Sequence, residues 1–298
     1  MTLLSLAVLI FLLIESRDKE IAWWSWKIGE TMDSFMATIS RTQSVFLFFF
    51  LALSSLLTFC ICTDPVYLYH VCSSKTLYAS NSTYQSNLNT LLSSLSNSKN
   101  TYNKATVGGQ SSNAVHGFYY CRGDVTSDMC SDCIKTAAQE ITHRCPNRKI
   151  GYIWYDECML HYSNYSTSVS DSPLFFMWNT QNISDATRFN QLLGDNINKV
   201  ATAAASNSKR FATKKANFTP FQNLYCLAQC SPNLSGNDCN RCLVRTIAYL
   251  PNCCIGKQGG RVLNPSCNIR FEVYPFYKVT ASPAGNSSTT VPGDLLQL

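Results

Sequence analysis

Histidine, acidic residues and glycine-rich loops are scarce in this chain, and each scarcity excludes a chemistry. Four histidines, His70, His116, His143 and His161, serve 298 residues, and none pairs with a nucleophile or has metal-ligand spacing. Positioned proton transfer most often uses histidine, so the pattern argues against an enzyme. The 18 Asp+Glu form no pair of the kind that cleaves glycosides. The 13 glycines build no phosphate-binding loop. No catalytic residue, metal or cofactor is therefore expected. Long apolar runs are missing too: residues 3–14 and 45–57 both fall short of the roughly 20 residues that a spanning helix needs.

The run at 45–57 has another use. Arg41 precedes it and a short region of smaller residues follows, which is the layout of a secretory signal peptide. A signal peptide over 36–62 would start at Met36 and be cut near Cys62–Thr63, removing Cys60 and Cys62. Residues 1–35, with Trp23, Trp24 and Trp26, are then expected to be an upstream extension of the coding sequence. The net charge of +6 is scattered apart from one cluster, Lys209, Arg210, Lys214 and Lys215. That cluster reads as a solvated face that could also approach an anionic cell wall or membrane. Nucleic acid is not an expected partner of a secreted chain. Six N-x-[ST] sequons, at Asn81, Asn164, Asn182, Asn217, Asn233 and Asn286, agree with an extracellular glycoprotein. The Ser-, Thr- and Pro-rich residues 279–298 read as a disordered tail.

What the chain does have is 15 cysteines, most of them in a pattern written twice. Cys121, Cys130 and Cys133 give C-x8-C-x2-C, and Cys230, Cys239 and Cys242 repeat it. Cys121, Cys130, Cys133, Cys145 and Cys158 each meet a cysteine 109 residues later. That period is too long for a solenoid and suits a domain. Two modules follow, over 64–168 and 173–278. Zinc also uses C-x2-C, but a secretory context and the short spacing to the third cysteine favour disulfides. A thioredoxin-type redox role lacks its βαβ surroundings.

Each copy shows the same order. Tyr84, Leu88, Leu91, Leu92 and Leu95 recur at helical spacing, as do Phe189, Leu192, Leu193, Ile197 and Val200. A loop leads to a β-type run, 115–121 or 221–226. Asp128 or Asp238 then caps a helix carrying C-x2-C, with Cys133, Ala137, Ala138 and Ile141 or Cys242, Thr246, Ile247 and Leu250 on one face. Two β-type runs close each module, 150–155 with 158–162 and 261–263 with 269–274. The order is helix, strand, helix, strand, strand, with a strand expected ahead of the first helix. It predicts an α+β fold with an antiparallel sheet.

The phrases Tyr120-Cys-Arg-Gly-Asp124, Gln229-Cys-Ser-Pro-Asn-Leu234, Lys257-Gln-Gly-Gly-Arg261 and Arg270-Phe-Glu-Val-Tyr-Pro-Phe276 carry a resemblance. With the repeated cysteines they resemble the ginkbilobin-like (stress-antifungal) domain of plant cysteine-rich repeat secretory proteins and cysteine-rich receptor-like kinase ectodomains. The likeness covers about residues 64–278. It implies a five-stranded antiparallel sheet with two helices per module. It also implies the pairs Cys72–Cys145, Cys121–Cys130 and Cys133–Cys158, then Cys230–Cys239 and Cys242–Cys267. Copy two departs from the pattern, because Trp178 stands where its first cysteine would be. Cys226, Cys253 and Cys254 are left for at most one bond. A vicinal bridge strains the backbone, so Cys226 with either neighbour competes, and one thiol stays free or cross-links chains. Trp178 is expected to anchor the core in place of the missing bridge.

In a seed antifungal member of that family, mannose is held by an Asn, an Arg and a Glu. Matched by position, copy two supplies Asn179, Arg261 and Glu272, and copy one has Ser73, Tyr152 and Ser163 instead. Guanidinium donors, carboxylate acceptors and an amide suit a pair of sugar hydroxyls. The plainer reading is a cross-strand Arg261–Glu272 ion pair with Asn179 in a turn. Arg122-Gly-Asp124, an integrin-type tripeptide by its letters, is expected to be a turn ahead of the helix cap. The resemblance implies a secreted apoplastic defence protein that binds mannose-containing glycan or cell-wall polysaccharide. The second expectation is a soluble or truncated receptor-type ectodomain that pairs with cell-surface receptor proteins.

Overall fold

The computed structural model describes residues 64–73, 75–165 and 174–278. The expected extension, signal peptide, tail and Asn286 lie outside the described residues. The first module runs β1 (Tyr67–Cys72), α1 (Thr83–Ser96), β2 (Tyr102–Val107), β3 (Val115–Cys121), α2 (Ser127–Arg144), β4 (Gly151–Tyr155) and β5 (Cys158–Ser163). The second repeats it with β6 (Phe175–Trp178), α3 (Ala186–Ser206), β7 (Phe211–Thr219), β8 (Gln222–Cys230), α4 (Gly236–Ile247), the one-turn α5 (Leu250–Cys253), β9 (Gly259–Asn264) and β10 (Cys267–Glu272). Each module is one five-stranded antiparallel sheet, ordered β1-β4-β5-β3-β2 and β6-β9-β10-β8-β7. The α+β class holds.

The helices form where the periodicity places them. Tyr84, Leu88, Leu91, Leu92 and Leu95 of α1 are all buried, as are Phe189, Leu193, Ile197 and Val200 of α3. Their caps differ from the expected ones. Thr126 accepts from the Met129 amide and Ser235 from the Asp238 amide, 3.3 and 3.1 Å away. Asp128 and Asp238 instead occupy the first turn, where a negative charge meets the positive end of the helix dipole. Leu250 leaves the α4 face, since that helix ends at Ile247 and Pro251 opens a separate turn.

The strand reading needed two additions. β2 and β7 are edge strands of polar composition, with Lys104, Lys214 and Lys215 exposed, so no apolar run announced them. Charged edges of this kind discourage pairing with other chains. Phe221 does not begin a strand interior. It sits at the β7–β8 turn, 98% exposed.

Helices cover one face of each sheet and seal a core between helix and strand. The opposite faces meet across the modules. Leu263 and Phe175 of the second sheet pack with Tyr120, Trp154 and Met159 of the first, and Tyr69 stacks on Phe175. Burial of aromatic surface makes this a joint rather than a loose tether.

Five bridges join Cys72–Cys145, Cys121–Cys130, Cys133–Cys158, Cys230–Cys239 and Cys242–Cys267. The competition in copy two ends with the vicinal bond, Cys253–Cys254, and Cys226 is the buried free thiol. Cys226 lies on β8 opposite Phe271, inside the helix-side core, whereas Cys253 and Cys254 share the turn that ends α5. Trp178 replaces no core contact. It ends an edge strand and is 48% exposed, so the anchoring role is corrected. Peptide mapping of the non-reduced protein is expected to recover a Cys253–Cys254 link, with Cys226 alkylated only after denaturation. Burial pushes that thiol up to about 12, which keeps it protonated and inert in the fold.

Candidate functional site

The second sheet sets the geometry. Arg261 on β9 lies opposite Arg270 on β10 and Met177 on β6, and Glu272 lies opposite Gly259. Strand alternation therefore puts Met177, Arg261, Arg270 and Glu272 on the face away from the helices. The Glu272 carboxylate occupies the space above Gly259, so a Cβ there would displace it. Asn179 follows β6. Its amide donates to Gly259 O at 2.9 Å, and its side-chain Oδ1 accepts from the Gln181 amide at 2.9 Å, a local turn. Asn179, Arg261, Arg270, Glu272 and Tyr274 line one cleft of about 210 Å³, with Trp178 at its edge.

The three residues matched to the sugar triad thus share a cleft, but the Arg261–Glu272 ion pair does not form. Glu272 accepts from Arg270 Nε at 3.0 Å. Arg261 Nη1 donates instead to Asp156 of the first module, at 2.9 Å. Arg270 Nη1 reaches the same Asp156 Oδ1 at 2.9 Å, and Arg122 Nη1 reaches Oδ2 at 3.0 Å. Asp156 sits in the β4–β5 turn, which is fixed from several sides. Its amide donates to Val66 O at 2.8 Å, and the Arg122 amide donates to Glu157 O at 2.8 Å.

The tripeptide Arg122-Gly-Asp124 belongs to this joint and is not displayed. Arg122 Nε donates to Asp124 Oδ1 at 2.6 Å, and the Asp124 side chain is 3% exposed. Gly123 abuts the Phe211 ring, leaving no room for a Cβ. Gln229 spans the modules, accepting from the Gly123 amide at 3.3 Å and donating to Cys121 O at 2.8 Å. The Lys278 amide also reaches Asp124, at 2.8 Å. Asp156, Arg270, Arg122 and Gln229 escaped the sequence reading. The cysteine register could have pointed to one of them, since the 109-residue offset sets Asp156 against Pro265, a mismatch between two otherwise corresponding hairpins.

Arg122, Arg261 and Arg270 face Asp124, Asp156 and Glu272, so the network carries no net charge. Burial opposes ionisation of Asp156, but Arg261, Arg270 and Arg122 outweigh it and hold the carboxyl below its ordinary value of 3.8. Its contribution to stability is present above that value and is lost only as pH falls through the lower folded one. Burial dominates at Glu272 and pushes its carboxyl up, with Arg270 offsetting part of the effect. Acid therefore protonates Glu272 before Asp156.

The first module answers the same positions without charge. By the 109-residue offset, Tyr152, His161 and Ser163 stand for Arg261, Arg270 and Glu272. Tyr152 and His161 stack with ring centroids 4.1 Å apart, and His161 Nδ1 bonds Gly151 O at 3.0 Å. Among the described residues no group of three potential ligands could hold a metal ion.

Two five-stranded sheets, each braced by disulfides and joined through a shared ion network, define a tandem cysteine-rich module protein. The family model described as salt stress response/antifungal matches residues 71–165 and 177–274. The chain belongs to that family. It is 42% identical over 232 residues to the antimicrobial ginkbilobin-2-like protein of Castanea crenata, covering 76% of this chain and 95% of that one. It is 42% identical to cysteine-rich repeat secretory protein 38 of Arabidopsis thaliana, covering 72% of this chain and 87% of that one. Cysteine-rich receptor-like protein kinase 25 of Arabidopsis thaliana is 45% identical over 263 residues; the match covers 84% of this chain but spans only 38% of the kinase. The solved tandem DUF26 ectodomain of the Arabidopsis thaliana cysteine-rich receptor-like protein PDLP8 aligns with a TM-score of 0.60 at 27% identity, covering 70% of this chain and 99% of that one.

Burial lowers the His161 imidazole to about 3, so it is neutral in the fold at pH values where the unfolded chain takes a proton. Stability is expected to fall as pH drops from the ordinary histidine value of 6.5 toward 3, by at most about 1.4 kcal/mol per pH unit. Urea titrations across that range check this, with His161→Phe flattening the dependence.

Proposed function

We propose that the protein is a secreted, non-catalytic plant defence protein that binds neutral, mannose-type glycan in the cleft of its second module. The observation that carries this reading is the meeting of Asn179, Arg261 and Glu272 in one cleft with a charge-balanced surround. Adjacent sugar hydroxyls need donors and acceptors together. Arg261 gives Asp156 one Nη1 bond, which leaves further N–H donors for a ligand. The Glu272 carboxylate likewise has lone pairs beyond the bond from Arg270. Because each guanidinium is already neutralised, the cleft has little to offer an anion and favours an uncharged, hydroxyl-rich ring. Tyr274 is half-exposed at the cleft, with its hydroxyl accepting from Arg270 Nη2 at 3.2 Å. An aromatic with one wet end suits the mixed polar and apolar faces of a pyranose.

The antimicrobial relative and the secretory relative support an extracellular defence setting. No described helix is long and apolar enough to cross a membrane. Similarity to a receptor-like kinase and to a receptor-like ectodomain favours a second reading, a protein-interaction module in extracellular signalling. Calorimetry of the oxidised protein with methyl α-mannoside and mannan separates the two. The first reading expects saturable binding that Arg261→Ala weakens at least ten-fold, roughly 1.4 kcal/mol or more. An oxidised, folded wild type that binds neither sugar overturns it and leaves the interaction reading.

A further inference from the structure

We infer that the glycan site is built by both modules, with Asp156 of the first module acting as the positioning residue for Arg261 of the second. This inference rests on the glycan reading above and adds the unit that binds and the source of its charge preference. Register puts Arg261 directly opposite Arg270, on the same face of neighbouring strands. Two guanidiniums in that relation repel, and both are largely buried, with side chains 13% and 10% exposed. Arg270 has alternatives, since it also bonds Glu272 and Tyr274 and lies over the Phe276 ring. Arg261 has none: Asp156 is the only hydrogen-bond partner of its side chain among the described residues. Asp156 Oδ1 takes one bond from each arginine at 2.9 Å, so a single carboxylate both cancels the repulsion and aims Arg261.

The carboxylate comes preorganised. Its turn is tied down by the Asp156 amide to Val66 O and by Glu157 Oε2 accepting from the Val66 amide at 3.0 Å. Arg122 holds its second oxygen at 3.0 Å. The corresponding β9–β10 turn of the second module carries Pro265 and offers no carboxylate at that position. Orientation by a fixed partner is how a site holds a long side chain ready for its ligand. It follows that Asp156 also sets the electrostatic taste of the cleft. With it, two arginines face two carboxylates. Without its charge, the arginines are in surplus by one and an anion becomes the better guest.

The test compares the full oxidised chain with Asp156→Asn, using methyl α-mannoside and galacturonate as probes in calorimetry. The side chain keeps its shape and loses its charge, so mannoside affinity is expected to fall at least ten-fold while galacturonate, not bound by the wild type, gains measurable binding. General loosening of the structure cannot produce that gain. Mannoside affinity and probe preference unchanged in Asp156→Asn, with the wild type binding mannoside, overturn the inference and leave the glycan reading standing. A wild type that binds no neutral sugar removes the glycan reading itself, and this inference with it. Should Asp156→Asn fail to fold, Asp156→Glu serves. Its longer arm misplaces the carboxylate, so at least a three-fold loss of mannoside affinity is expected, and wild-type affinity overturns the inference.

Discussion

Asp156 accepts hydrogen bonds from Arg122, Arg261 and Arg270 at 2.9–3.0 Å, in a setting where none of the four side chains is more than 21% exposed. Burying charges in this way costs desolvation of each, and it is tolerated only when every one is matched. The arrangement therefore binds the modules by mutual need. Removing the carboxylate strands Arg261 and takes one bond each from Arg122 and Arg270, and separating the modules leaves Asp156 with Arg122 alone. The aromatic contact of Tyr69 with Phe175 and of Trp154 with Leu263 supplies area to the same joint. The ion network adds directional bonds across that joint, from Arg261 and Arg270 to Asp156.

The two modules put different chemistry on one frame. The same strand positions carry Arg261, Arg270 and Glu272 in one copy and Tyr152, His161 and Ser163 in the other. One set is charged and lines a cleft. The other is a neutral aromatic stack, with His161 buried and uncharged. One copy thus holds a neutral aromatic stack and the other a charged cleft, whose arginines Arg261 and Arg270 meet Asp156 of the first copy. The exchange at Trp178 fits this division. Losing the first cysteine of copy two left Cys254 without a partner, and the bond to Cys253 retains a bridge in the turn after α5.

Much of this was legible in the sequence, and the reasons are local. Helical stripes such as Leu88, Leu91 and Leu95 are read within a few turns, and the cysteine offset fixes the module over 109 residues without any geometry. The edge strands β2 and β7 were not legible, because lysines and asparagines at a solvated edge resemble a loop. Trp178 was misplaced because the matching position in copy one, Cys72, is itself only half-buried at the end of an edge strand and offers no core place to a larger side chain. Asn179, Arg261 and Glu272 could be named from motif positions, but the partners that govern them could not. Asp156 meets Arg261 across 105 residues and Arg270 across 114, and no periodicity or spacing rule joins them.

The central claim is that the buried ion network makes one cooperative unit of two repeated modules. Differential scanning calorimetry of the oxidised chain tests it most directly. The account predicts a single transition whose calorimetric and van't Hoff enthalpies agree. Two separable transitions, each with the enthalpy of one module, would contradict it.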